Sequence, residues 1–358
     1  MSNGYTAIQV RSNCVLSYFQ HEGSHFSKNP VNTLFGKNLP TDRLKAYSGK
    51  LSDGAKKRLG RAIDLLVQVA TPQKIRNPTN GRYFTHRLSF ITLTVSSTKN
   101  MTAREAYDKL LSPMLLYFRR SCRMTTYVWK AEVQKRGQIH YHITTPTYIQ
   151  WRAIRDKWNY LQQAAGVIDD YRAEQLAWHH NGFTPRPEFF KKWPLAAQQK
   201  AYEKGMAENW TDPNSTDIHK VQSVQNLSGY LQKEFCKTIQ NPDTVGKIWD
   251  CSLNLKKFRY FALQETAAIH MRLQELEAKG LIYLKYFDQC TVIELPRKDI
   301  TQLMDVKKIQ EYDSFKKMII EYVRKPKPEI PAPIIHLTPQ PTISTKSPVS
   351  AQIKLVGF

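Results

Sequence analysis

Glu132-Val133-Gln134-Lys135-Arg136-Gly137-Gln138-Ile139-His140-Tyr141-His142 is the stretch on which the reading of this chain turns. Lys135-Arg136-Gly137 has the composition of a three-residue hairpin turn, with Gly137 suited to the left-handed position. Centring the hairpin on Arg136 sets Val133 opposite Ile139, Glu132 opposite His140, Ala131 opposite Tyr141 and Trp129 opposite Ile143. Side chains alternate along a strand, so His140 and His142 share a face and Glu132 lands on it. The other face carries Tyr127, Trp129, Ala131, Val133, Ile139, Tyr141 and Ile143, an apolar set suited to a core. A lone His-x-His is more often incidental, but the opposed carboxylate and the clean segregation of faces favour a metal site. Two imidazoles and a carboxylate with coordination positions left open suit a divalent cation such as Mg²⁺, Mn²⁺ or Zn²⁺.

A second motif, Tyr230-Leu231-Gln232-Lys233, sits in a segment, residues 224–238, that reads as a helix. Tyr230 and Lys233 are three apart and share a helical face. Leu227, Leu231 and Phe235 lie near one another on an adjoining face and would dock the helix on a sheet. A tyrosine hydroxyl is a weak nucleophile at its ordinary pKa of about 10. A nearby ammonium and a metal-polarised phosphate make its attack feasible. Taken singly, such a pair on an amphipathic helix usually only packs and reaches to solvent.

Together and in this order the motifs resemble the HUH endonucleases, specifically the rolling-circle replication initiators (Rep proteins) of phage and plasmid type. Phe90-Ile91-Thr92-Leu93-Thr94-Val95 fits the family's first motif, a hydrophobic strand with threonine. His140-Tyr141-His142 with Glu132 fits the second, and Tyr230 with Lys233 the third. The resemblance covers roughly residues 45–260. It implies an α+β fold, an antiparallel central sheet with flanking helices around an RRM-like core. It also implies a divalent metal, Mg²⁺ or Mn²⁺, held by Glu132, His140 and His142, and no other cofactor. Tyr230 becomes the nucleophile, aided by Lys233. The second tyrosine of some members would fall at Glu234, so the chain resembles the single-tyrosine enzymes. The implied activity is nicking and rejoining of single-stranded DNA at an origin through a 5′-phosphotyrosine link. Relaxases usually carry the tyrosine ahead of the histidine motif, and single-tyrosine transposases are typically much shorter. A non-catalytic single-stranded DNA-binding protein on the same fold is the rival of a different class.

Composition agrees. Of 358 residues, 53 are Lys or Arg and 30 Asp or Glu, a formal net charge of +23 that calls for a polyanionic partner. Eighteen Tyr, fifteen Phe and seven Trp offer stacking surfaces for unpaired bases. Lys56, Lys57, Arg58, Arg61, Lys130 and Arg136 are candidates for DNA contact. The five cysteines form no C-x-x-C pair and suit a reducing compartment. There is no apolar run near 18 residues, so a soluble protein in the cytoplasm of a bacterial host, with no membrane partner, is expected. Gly246-Lys247 is followed by Ile248, which breaks the phosphate-loop pattern. A separate helicase, with host replication machinery, is therefore expected to unwind the DNA. Oligomeric state is left open.

The organisation reads as an N-terminal extension over 1–45, an endonuclease domain over 46–258 with an insertion at about 167–213, an accessory helix-hairpin-helix unit over 259–325, and a proline-rich disordered tail over 326–358. Ser52 is positioned to cap a helix running to about Ala70, and Pro72 to Gly81 reads as a loop. A strand spans about Arg87 to Val95. Thr102-x-x-Glu105 is a capping box that opens a helix to about Phe118. Trp151, Ile154, Trp158 and Leu161 mark a helix stopped at Gly166. Thr216 to Val221 reads as the last sheet strand, with Asp217 and His219 on one face as candidates to support a metal ligand from behind. In the accessory unit a helix is expected from Ala262 to Lys279, then a hairpin from Leu281 to Leu295 and a helix from Ile300 to Val323. His179-His180, on a helix, point different ways and read as surface or core rather than metal ligands.

Overall fold

The computed structural model describes residues 4–12, 14–21, 51–76, 81–97, 101–133, 139–191, 193–220, 231, 248–288, 290–294 and 300–322. The turn Lys135-Arg136-Gly137, Tyr230, Lys233 and the tail from Pro326 lie outside them.

The chain is α+β. It opens with an antiparallel hairpin, β1 (Gly4–Val10) and β2 (Cys14–His21). Ser52 then caps α1 (Asp53–Val69), its hydroxyl accepting the Ala55 N–H at 3.2 Å. Leu59, Ile63 and Leu66 recur at helical spacing and are fully buried. The segment read as a loop enters a two-stranded ribbon instead, β3 (Gln73–Arg76) against β4 (Tyr83–His86), with Ile75 opposite Phe84. Its strands are four residues long and mostly exposed, so no apolar alternation marks them.

β5 (Ser89–Thr94) buries Ile91 and Leu93 completely. The Thr102–Glu105 box forms with both reciprocal bonds and opens α2 (Ala103–Ala106). A π-turn over Tyr107–Leu111 leads into α3 (Ser112–Arg120). Pro113 has no N–H to give to Lys109, and the Ser112 N–H bonds back to Tyr107, which accommodates the gap. β6 (Val128–Val133) and β7 (Ile139–Thr145) pair in the expected register, Glu132 opposite His140 and Trp129 opposite Ile143.

α4 (Trp151–Ala164) ends at Gly166 in the left-handed region, φ 77°. The insertion holds two full helices, α5 (Val167–Trp178) and α6 (Leu195–Ala207), with a 3₁₀ turn at Pro187–Phe189 between them. β8 (Thr216–Lys220) follows, then β9 (Trp249–Cys251) and the short α7 (Leu253–Lys257). The helix expected from Ala262 begins later: Phe261–Gln264 is a strand, β10, and Thr266 caps α8 (Ala267–Ala278). The hairpin β11 (Tyr283–Phe287) and β12 (Cys290–Glu294), a 3₁₀ turn at Ile300–Leu303 and α9 (Val306–Glu321) complete the described residues.

Two five-stranded antiparallel sheets result. The first has the order β8-β5-β7-β6-β9 and the second β10-β1-β2-β12-β11. The N-terminal residues, which showed no periodicity, supply two central strands of the second sheet and join it to strands some 250 residues later, as in Ile8 opposite Leu263. One face of the first sheet, with Ile91, Leu93, Trp129, Tyr141 and Ile143, packs under the α2–α3 arm and α4. Its other face carries Val128 and Phe90 into a core with α1, Leu255 and Ile319. Buried Asp64 of α1 accepts from Ser12 at 2.8 Å and from Tyr260 at 2.9 Å. These bonds tie α1 to the hairpin turn of β1–β2 and to the chain entering β10.

Candidate metal centre

The ladder of the first sheet sets the geometry. Thr94, His140 and Glu132 form one row across β5, β7 and β6, and Asp217, Thr92, His142 and Lys130 the next, starting from β8. All alternate with the buried apolar set, so they project from the opposite face. The carboxylate of Glu132 reaches His142 Nε2 at 3.0 Å. On its other side, His142 Nδ1 meets Thr92 Oγ1 at 3.2 Å. Phe90 stacks on the His142 ring at 5.3 Å between centroids, inclined by 26°. The ring is therefore held at both nitrogens and on one flat side. The His140 ring lies 6.2 Å from it, centroid to centroid.

The electrostatics suit a cation. Burial, with His142 beside it, pushes His140 down to about 4, so its imidazole is neutral near pH 7. The hydrogen bond to His142 lowers the Glu132 carboxyl below its usual range despite partial burial, and it remains an anion. One carboxylate and two imidazoles, one of them neutral, form a donor set that fits a divalent ion. Among the described residues no three His, Cys, Asp or Glu side chains stand in a closed metal-binding arrangement. Here Glu132 and His142 bond each other directly, and a cation would take the place of that bond. The Thr92 hydroxyl can serve either state, since it donates to a bare Nδ1 or accepts from a protonated one.

Thr92 and Phe90 were not singled out as site residues from sequence, although both lie in the strand matched to the first motif. Asp217 and His219 share the site's face, but they bond each other at 2.7 Å, both largely exposed. Thr92 thus makes the contact with His142 that the sequence reading sought from that pair. Thr92→Val keeps the shape and removes the hydroxyl. It is expected to weaken metal affinity or cleavage by roughly 10- to 100-fold, as loss of a partner behind a metal-bound histidine typically does. Metal titration of the purified variant checks this, and unchanged affinity and rate would show that Thr92 does not orient the ligand.

Lys130 is only 2% exposed and lies opposite His142, so its charge belongs to the site's face rather than to bulk solvent. Lys56, Lys57 and Arg58 are exposed at the start of α1, with Lys56 paired to Asp53 at 3.1 Å. Arg61 is half-buried, and burial with Arg259 nearby lowers its affinity for a proton. Arg259 thereby extends the α1 basic cluster beyond the residues legible in sequence. Arg136 is outside the described residues, as are Tyr230 and Lys233. Their neighbour Leu231 is helical and fully buried, packed with Leu88, Val128 and α1 on the face that carries the histidines. His179 and His180 belong to the insertion, where His179 packs among aromatic rings.

Residues 88–239 match the family model described as replication-associated protein, of the ORF2 and gene II protein type. The match begins at the strand carrying Thr92, includes the hairpin and ends just beyond the Tyr-x-x-Lys motif. This similarity to replication-associated proteins supports a role in replication initiation. No match was found among curated proteins or solved structures. Among the described residues no helix is long and apolar enough to cross a membrane.

Proposed function

We propose that the chain is a metal-dependent, single-tyrosine HUH endonuclease and strand transferase that initiates rolling-circle replication of a phage or plasmid genome. The observation that carries this reading is the clustering of Glu132, His140 and His142 on one face, with His142 gripped by Thr92 and Phe90 and helical Leu231 packed into the same face. The family match over 88–239 supports it.

Glu132, His140 and His142 would hold Mg²⁺ or Mn²⁺. When bound, the ion polarises the scissile phosphate and offsets charge that builds on its oxygens. Thr92 and Phe90 fix the His142 ring, so a ligand nitrogen is oriented before the substrate arrives. Tyr230 attacks phosphorus through its phenolic oxygen. The tyrosine O–P bond forms as the P–O3′ bond breaks, the phenolic proton passes to solvent, and the leaving 3′ oxygen takes up a proton. Lys233 favours the phenolate and the crowded phosphate by its charge. One phosphodiester is exchanged for another, so the step is reversible and the 3′ hydroxyl can prime synthesis or rejoin. Basic residues around α1 bind the strand by its phosphates. A separate helicase opens the duplex.

The test is incubation of the full chain with a library of single-stranded oligonucleotides and Mg²⁺ or Mn²⁺, resolved on a denaturing gel. A covalent protein–DNA band attached through the 5′ end, with a free 3′-hydroxyl product, is expected. Tight, salt-sensitive binding with no covalent band under any metal would make the protein a non-catalytic single-strand binder instead.

A further inference from the structure

The insertion between α4 and β8 encloses a cavity of about 470 Å³, within the size range of small-ligand sites. Its walls are largely aromatic: Tyr171, His179, Phe183, Tyr202 and Trp210, with Trp193 left 40% exposed at the rim. His179 lies parallel to Trp210 at 5.5 Å, inclined by 8°, and 4.8 Å from Tyr202. The Thr184 N–H donates to His179 Nδ1 at 3.0 Å, and burial lowers the pKa of that ring, so the imidazole is neutral and flat against the indole.

The wall is built at a conformational cost. Asn209 and Trp210 adopt φ 51° and 55°, left-handed values that are unfavourable for residues other than glycine. Trp210 fits only because Gly205 of α6 has no side chain: a Cβ there would come within 2.4 Å of the indole. Backbone strain kept at the wall of a cavity points to a site shaped for a ligand. The rim is braced too, since the buried Gln198 amide donates to the carbonyls of Arg186 and Trp193 at 3.1 and 2.9 Å.

The charges select the class of ligand. Arg155 is committed to Asp212 at 2.6 Å, and Lys204 lies 3.5 Å from Glu208. With these cations balanced inside the wall, the cavity favours a flat uncharged group over a phosphate. It is also coupled to the catalytic sheet. Asp212 takes hydrogen bonds from Arg155 and Asn159 of α4, and Trp151 donates to the Thr216 carbonyl of edge strand β8 at 3.5 Å.

We infer that this cavity captures one unpaired nucleobase of the DNA strand by stacking, and so sets the register of the strand on the sheet that carries His140 and His142. The inference rests on the proposed single-stranded substrate. Stacking on aromatic rings is open to every base, so the pocket supplies register and affinity rather than a sequence code.

The experiment walks a single abasic site along a bound oligonucleotide and measures affinity with the full chain. One position is expected to lose roughly fivefold to 150-fold, the usual worth of one stacked base, with little change elsewhere. A 5-iodouracil at that position should photocrosslink to a peptide within residues 171–210. Tyr202→Ala and Gly205→Ala should weaken binding by a similar factor, remove the abasic effect and leave the salt slope unchanged, because no phosphate contact is lost. A flat abasic profile, or a crosslink outside that segment, with nicking intact, would overturn this inference alone. Failure to bind single-stranded DNA at all would overturn it together with the proposed function.

Discussion

Tyr230→Phe is expected to abolish the covalent protein–DNA band while leaving metal binding and single-strand affinity close to wild type. The substitution keeps the ring and deletes the attacking oxygen. The structure removes competing tyrosines one by one. Tyr141, between the two histidines, is 1% exposed on the opposite face, against Trp129 and Trp158, and burial drives its phenol far above the ordinary range. Burial pushes Tyr127 and Tyr312 up to about 12. Tyr260 is raised by burial and spends its hydroxyl on Asp64. None of these can supply a phenolate near neutral pH. Peptide mapping of the trapped adduct decides the matter: a DNA-linked peptide containing any other tyrosine would refute the assignment. Lys233→Ala should slow adduct formation without ending it, because its charge only assists.

His140→Ala and His142→Ala should each eliminate cleavage, and excess chelator should do the same to the wild type. DNA affinity should change little, since it resides in phosphate contacts elsewhere on a chain of net charge +23. A readout free of DNA accompanies this. A ligand that binds only the folded state raises stability by about 2.7 kcal/mol at a hundred times its dissociation constant. Mn²⁺ should therefore raise the melting temperature of the wild type and not that of the double histidine variant. Glu132→Gln preserves shape and removes the negative charge, and should show the same loss of metal-dependent stabilisation. A variant lacking both histidines that still cleaves, or cleaves fully in chelator, would eliminate the metal site.

Much of the site's frame was legible because it is local. A hairpin register follows from its turn, and the alternation of His140-Tyr141-His142 against Glu132 assigns faces without reference to the rest of the chain. The caps at Ser52 and Thr102 are likewise three-residue rules, and both formed with the expected bonds. The grip of Thr92 on His142 was less accessible. It needs β5 beside β7, a pairing across fifty residues that only the packed sheet establishes.

What sequence alone determined about this protein is therefore the catalytic hairpin, its faces and the α+β class, since each depends on contacts within one turn or one strand pair. Tertiary structure decided the rest. In β1 the neighbours Ala7 and Ile8 are both 2% exposed, so no period-two pattern could mark the strand. Its pairing with β10 carries a loop-closure cost that no local preference offsets, and burial of the shared core beside α8 and α9 specifies it. The aromatic cavity arises in the same way. Tyr171, His179, Tyr202 and Trp210 are scattered along the insertion, and they meet only because α5 and α6 fold together and Gly205 leaves room for the indole. Close approach between distant segments depends on volume and packing in three dimensions, which a linear pattern of residue types does not encode.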